Sequence, residues 1–536
     1  MMKQPNIIIF NPDQMRADAL RHLGNTASQT PFIDNFAHHE GVSFRNAFCQ
    51  NTVCVPSRCS FTTGLYPHVN GHRTMSHLLR EGESTIFKEL KDAGYYVWMN
   101  ARNDLIAGQV EGLIESHISK VYYGGDGPET PGPVNNKRIG VGDHGYYSFY
   151  KGELEVDENG VNYGPDDEDL DAAITQIKNK KDDQPLCLFL GLINPHPPYQ
   201  VEEPFFSAID RLLLKKRIKP EDTVGKAKIL DLIRENQKLD DFTEEEWDEL
   251  RACYLGMCMK VDKMFEKLCD ALKEAGEYDD SLILFLSDHG DYTGDYGVSE
   301  KAQNSFEDCL TNVPLLIKPP KTDKVDAGIT DSLAELVDFY ATIQDYACLQ
   351  KTHTHFGQSL RPIVENRTTE NRDYVCCEGG RLPEEIHCDE FHAGGPGGVK
   401  PFHLYYPRLK AQTDDEAHAK GVMIRNHDYK FVSRVLGQDE FYDLRNDPDE
   451  KINQIDNQDF QSEIAKMHLD VSKWYLKTSD IVPYDLDQRF SFDMKWAKVK
   501  KYVPEAYENE IKEKIMSGIN IFLLIQECRD RFGSQE

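Results

Sequence analysis

Cys54 begins the run Cys54-Val55-Pro56-Ser57-Arg58-Cys59-Ser60-Phe61-Thr62-Thr63-Gly64. The pattern Cys-x-Pro-Ser-Arg-x-x-x-x-Thr-Gly fixes six residue types. At average frequencies of about 5% each, such a match arises by chance in well under about one chain in ten thousand. A buried structural cysteine near a turn is therefore the weaker reading. Other reactive types stand directly after apolar runs. Asp13-Gln14 follows Ile7–Phe10, and Asp288-His289-Gly290 follows Ser281–Leu286. His196, in Asn194-Pro195-His196-Pro197-Pro198-Tyr199, follows Leu186–Leu192. An imidazole there can supply a proton near neutral pH. Taken singly, Asp13 and Asp288 also read as strand-end caps.

The elements that must carry these groups alternate. Ile7–Phe10, Tyr95–Met99, Leu186–Leu192, Ser281–Leu286 and Val313–Ile317 read as strands. Thr85–Ala93, closed by Gly94, and Asp169–Lys178 read as helices. So does a longer stretch, Glu244–Ala275, whose Met257, Val261, Met264, Phe265, Leu268 and Leu272 keep helical spacing until Gly276. Strands alternating with helices predict an α/β sheet covered by helices, with ligands gathered beyond the strands' carboxyl ends. Two insertions break the rhythm. Gly108–Glu168 is rich in Gly, Pro and Asp and reads as loop; Phe205–Glu246 is charged and partly helical. After about residue 370 the pattern changes. Val422–Ser433 reads as a hairpin turning at Asn426-His427-Asp428, and Pro483–Glu536 as a helical tail that packs on the core or on another subunit.

The chain has 536 residues, 39% hydrophobic and 28% charged, with a formal net charge of −30. That length supports a large core and more than one domain. The acidic balance argues against nucleic acid or an anionic membrane as partner, so any anion site must be a local basic pocket. Asn6–Phe10 is too short for a signal-peptide core, and Ile519–Ile525 too short for a bilayer span. A cytoplasmic protein is expected, with most of its 13 cysteines free. Cys49, Cys54 and Cys59 fit no standard zinc spacing.

The Cys54 run resembles the maturation and active-site signature of the type I sulfatases, within the alkaline phosphatase superfamily. The resemblance implies that Cys54 is oxidised by a dedicated maturation enzyme to formylglycine, an aldehyde. Its hydrate attacks sulfur with one oxygen and later expels sulfate with the help of the other. The same resemblance makes Asp13, Gln14, Asp288 and His289, with the modified Cys54, the ligands of one divalent metal. Oxygen donors favour Ca²⁺, and the His289 nitrogen leaves Mn²⁺ or Mg²⁺ open. Arg58 is similar to the family arginine that bonds the nucleophile and metal ligands. His196 matches the His-x-Pro histidine that protonates the leaving alcohol. Lys301, ahead of Phe306-Glu307 and Val313-Pro314-Leu315, matches the sulfate-binding lysine. Ala101-Arg102-Asn103-Asp104-Leu105 stands where many members read Gly-Lys-x-His-Leu. Arg102 there can clamp sulfate, and Asp104 can take a proton when the aldehyde re-forms. His72 is a further pocket-lining candidate.

The implied fold is an alkaline-phosphatase-like mixed sheet between helices, in a catalytic domain over residues 1–370. A smaller α+β subdomain over 371–536 follows, carrying the family-like element Phe441-Tyr442-Asp443-Leu444-Arg445-Asn446-Asp447-Pro448-Asp449-Glu450. The implied activity is hydrolysis of a sulfate monoester, with a small sulfated sugar as the substrate suggested by analogy. Many members read Asp-Asp where this chain reads Asp13-Gln14. Asp-Gln with Asp-His also occurs in phosphonate monoester hydrolases, so a phosphonate or phosphodiester hydrolase is the alternative. The altered Arg102–Asp104 stretch supports a third reading, a non-catalytic metal-binding homologue.

Overall fold

In a computed structural model the run Asn6–Asn11 is a strand with both faces covered. Ile7 and Ile9 enter one apolar cluster, Ile8 and Phe10 another. That two-residue alternation is what a sheet sandwiched between helices demands. The structure describes residues 4–125, 127, 140–181, 183–393, 395, 397–484 and 489–533.

Numbered along the chain, the strands are β1 (Asn6–Asn11), β2 (Val42–Phe48), β3 (Tyr96–Asn100), β4 (Lys120–Tyr122), β5 (Tyr150–Leu154), β6 (Leu186–Gly191) and β7 (Tyr199–Glu202). Then come β8 (Ser281–Leu286), β9 (Leu315–Lys318), β10 (Gly328–Glu335), β11 (Val375–Gly379), β12 (Gly421–Arg425), β13 (Tyr429–Arg434) and β14 (Glu440–Asp443). Eight form the main sheet in the order β10-β2-β9-β8-β1-β6-β3-β4. β1 is central and parallel to both β6 and β8, whereas β9 runs antiparallel to β8 and β2, so the sheet is mixed.

Apolar burial explains the two covering layers. The 31-residue helix Glu244–Glu274 opens with a reciprocal cap between Thr243 and Glu246 and packs with Pro31–His39 on one face. Phe265 of that helix meets Phe10 of β1 with ring centroids 5.1 Å apart. Helices Cys54–Thr63, Ile86–Asp92 and Asp338–Tyr346 supply the other face. A second sheet, β11-β12-β13-β14, is antiparallel. Its hairpin turns where Asn426 Oδ1 accepts the Asp428 and Tyr429 N–H groups. Ile464, Met467, Val471 and Trp474 of helix Gln461–Thr478 cover it.

The chain forms two compact units. One holds the described residues of Met1–Lys351 and His355–Ile481, with the main sheet, the antiparallel sheet and the β5-β7 pair; the other holds those of Thr352–Thr354 and Val482–Glu536. The second has its own small core, with Val499, Ile511, Ile515, Ile521 and Leu524 at its centre.

Two readings of the sequence need correction. Gly108–Glu168 is not all loop. It contains helix Leu113–His117, strand β4, strand β5 and the start of helix Pro165–Lys178. These pieces are too short to show a period; β4 exists because β3 offers it an edge, and β5 because β7 does. Part of that insertion, 126 and 128–139, lies outside the described residues. The strand expected at Val313 begins at Leu315, after Pro314, which has no N–H for a ladder. All thirteen cysteines are free, and among the described residues no helix is long and apolar enough to cross a membrane.

Candidate active site

The sequence around Cys54 folds as a helix whose residue types each have a structural task. Cys54 is the first residue of helix Cys54–Thr63, and the whole helix is buried. Pro56 sits in the first turn, where a missing N–H costs nothing. Ser57 donates its hydroxyl to the Asp288 carbonyl at 2.6 Å. Arg58 donates to Asp288 Oδ2 at 2.9 Å and to Asp13 Oδ2 at 2.7 Å. Gly64 stops the helix in the left-handed region at φ 71°, and a Cβ there would stand 3.0 Å from atoms of Tyr340 and His355. The helix is thereby fastened to two strand ends, and its positive N-terminus points Cys54 at them.

Those strand ends bring four groups together. Asp13 follows β1; Asp288 and His289 follow β8. One ligand atom from each of Asp13, Cys54, Asp288 and His289 lies within 4.8 Å of all the others, and all four residues are buried. Cys54 Sγ is 3.2 Å from His289 Nε2 and 3.6 Å from Asp13 Oδ1. His289 Nδ1 donates to the Gly290 carbonyl at 3.0 Å, which leaves the Nε2 lone pair facing the cluster. Two carboxylates, an inward imidazole lone pair and the adjoining Gln14 amide fit a divalent cation.

Cations frame the anions. Lys301 Nζ donates to Gln14 Oε1 at 2.8 Å and to Cys54 Sγ at 3.3 Å. Arg102 donates to Asp13 Oδ2. Burial alone would raise the Asp13 carboxyl, but Arg102, His196, Lys301 and Arg58 together hold it well below the usual range. Burial, reinforced by Asp13, pushes the Cys54 thiol well above its ordinary value. Burial and the Lys301 charge push His196 well below its own. His196 is half-buried beyond β6, and its Nδ1 donates to the Pro197 carbonyl at 2.7 Å. Asp104 stands 3.8 Å from Arg58 Nη1 and 4.0 Å from Arg102. His72 is engaged elsewhere: Nδ1 donates to the His77 carbonyl at 2.8 Å, and Nε2 meets Glu83 Oε1 at 3.1 Å. Neither bond reaches the cluster, so its part is to brace the loop after the Cys54 helix.

Several neighbours had no signal in the sequence. Glu300 Oε1 lies 3.6 Å from Lys301 Nζ and 3.3 Å from Arg408 Nη1. Arg408, from the second half of the chain, sits over the Tyr405 ring, whose own neighbour is His196. Asp291 and Tyr199 bond to each other behind Gln14. Asp291 could have been found, three residues past Asp288; Arg408 and Tyr405 carry no motif.

The chain matches known proteins over most of its length. The family model described as Sulfatase matches residues 5–348. An N-acetylglucosamine-6-O-sulfatase from Bacteroides thetaiotaomicron is 24% identical over 542 residues, 88% of this chain and 87% of that protein. Arylsulfatase K of Danio rerio is 26% identical over 391 residues, 67% of this chain and 68% of the relative. In fold, the chain is similar to the phosphonate monoester hydrolase of Agrobacterium radiobacter, with a TM-score of 0.67 at 19% identity, covering 89% of this chain and 96% of that one. With two strand ends, a buried cysteine helix and the family model in register over most of the chain, this protein belongs to the sulfatase family and is a sulfatase.

Proposed function

We propose that the protein removes sulfate from a sulfated sugar, with Cys54 matured to formylglycine and one divalent cation bound beside it. The observation that carries this reading is the convergence of Asp13, Cys54, Asp288 and His289, with Lys301 on the same sulfur. A bare Cys54 thiol suits the task poorly, because burial and Asp13 keep it protonated. Matured and hydrated, that position supplies an oxygen nucleophile. A dedicated maturation enzyme is then an obligatory partner. Asp13, Gln14, Asp288 and His289 would hold the cation, which would supply Lewis acidity and a template for sulfate oxygens; the donor set favours Ca²⁺.

The remaining roles follow from placement. Lys301 and Arg102 aim fixed positive charge where negative charge develops. Arg58 bridges the two carboxylates and holds them beside one another. His196 protonates the departing alcohol. Burial and the Lys301 charge hold its proton affinity well below the ordinary value, and an anionic ester beside it would raise that affinity. Asp104, partly exposed and facing both arginines, takes the second hydroxyl's proton. The relative from Bacteroides thetaiotaomicron, an N-acetylglucosamine-6-O-sulfatase, supports a sugar as the alcohol.

One observation favours a second reading. Gln14 puts a neutral amide where many members carry a carboxylate, and its pairing with Asp288-His289 is similar to that of phosphonate monoester hydrolases, so a phosphonate monoester or phosphodiester is the second candidate substrate. The test is a parallel assay of sulfated mono- and disaccharides, choline sulfate, an aryl sulfate and a phosphonate ester. Highest kcat/KM on a sulfated sugar supports the first reading; highest on the phosphonate ester replaces it with the second.

A further inference from the structure

Gln14 lies between two groups of opposite hydrogen-bonding character. Its Oε1 accepts from Lys301 Nζ at 2.8 Å, and its Nε2 donates to Asp291 Oδ2 at 2.6 Å. An ammonium only donates, so Oε1 is the amide end turned to Lys301 and Nε2 the end held by Asp291. Asp291 is itself fixed. The Tyr199 hydroxyl lies 2.8 and 2.9 Å from its two oxygens, and the Thr293 N–H donates to Oδ1 at 2.6 Å. Tyr199 also accepts the Glu300 N–H at 3.0 Å, and Glu300 Oε1 returns to Lys301. The contacts close a ring through Gln14, Asp291, Tyr199, Glu300 and Lys301, all buried. Gln14 and Glu300 hold φ of 66° and 67°, which residues with a Cβ seldom adopt.

We infer that Asp291 is a positioning residue that turns the Gln14 amide so that its oxygen, not its nitrogen, faces the Cys54 cluster and the cation. The inference rests on the cation site proposed above. It has a consequence opposite to simple charge counting. A carboxylate at position 14 is the stronger ligand in isolation, yet it has no N–H to give the Asp291 oxygen that fixes the side chain here. Gln14→Glu should therefore weaken cation binding. Asp291→Asn should weaken it too, because it leaves Lys301 alone to set which end of Gln14 faces inward. Joined, the two changes restore a donor–acceptor pair.

The test is calorimetric titration of Ca²⁺ into the EDTA-stripped full chain, with melting in EDTA as the check on folding. Each single variant is expected to bind roughly 10–100-fold more weakly, the usual loss for an outer partner of a metal ligand. The double variant is expected to recover most of that loss. Tighter binding by Gln14→Glu, or a double variant no better than the singles, would overturn the positioning role. If Asp291→Asn fails to fold, Gln14→Glu alone decides between the two outcomes. A wild-type chain that binds neither Ca²⁺, Mn²⁺ nor Mg²⁺ would overturn the cation site and this inference with it. Wild-type binding with unchanged variants would overturn the inference alone.

Discussion

The Lys301 ammonium stands 3.3 Å from the Cys54 sulfur, with both side chains buried. In the proposed reaction Lys301 would therefore address the position of the nucleophile, from a loop 247 residues further along the chain. Replacing it by methionine keeps much of the stem and removes the charge. That variant is expected to lose about 10²–10³ in kcat, the usual loss for one preorganised electrostatic donor. Steady-state kinetics on an aryl sulfate measures it. A loss confined to KM would assign Lys301 to binding alone.

Arg58 holds Asp13 and Asp288 together. Arg58→Met leaves two buried carboxylates without their shared counter-charge, a change that costs about 3–5 kcal/mol. Thermal melting in EDTA should show the loss. Added Ca²⁺ should recover part of it, because the cation would neutralise the same two carboxylates. A melting temperature indifferent to Ca²⁺ would argue that no cation shares them.

His196 is tested by leaving group. His196→Ala should reduce turnover of alkyl and sugar sulfates by about 10²–10⁴, the range for general acid catalysis. Nitrophenyl sulfate, whose leaving group needs no proton, should lose far less. Equal losses on both would remove His196 from the acid role.

Much of the site was legible because its residue types have local tasks. Pro56, Ser57, Arg58 and Gly64 are required by one helix and its anchors, so they stand together in the sequence. Asp13, Asp288 and His196 were placed by the ends of β1, β8 and β6, where apolar runs stop. Glu300, Arg408 and Tyr199 were not legible. Arg408 and Glu300 are 108 residues apart, and only the packed fold joins them. His72 looked like a pocket residue because it lies close to Cys54 in sequence; its bonds to His77 and Glu83 show that proximity along a chain does not set direction. The strands β4 and β5 were hidden because each is made by a neighbouring edge, not by its own alternation.

The central claim is that Cys54 does not act as a thiol. Mass spectrometry of the peptide carrying Cys54, from active protein matured in its own host, tests this most directly. The account predicts a peptide about 18 mass units lighter than the coded sequence, sulfur exchanged for oxygen with loss of two hydrogens. An intact thiol in fully active protein would contradict it.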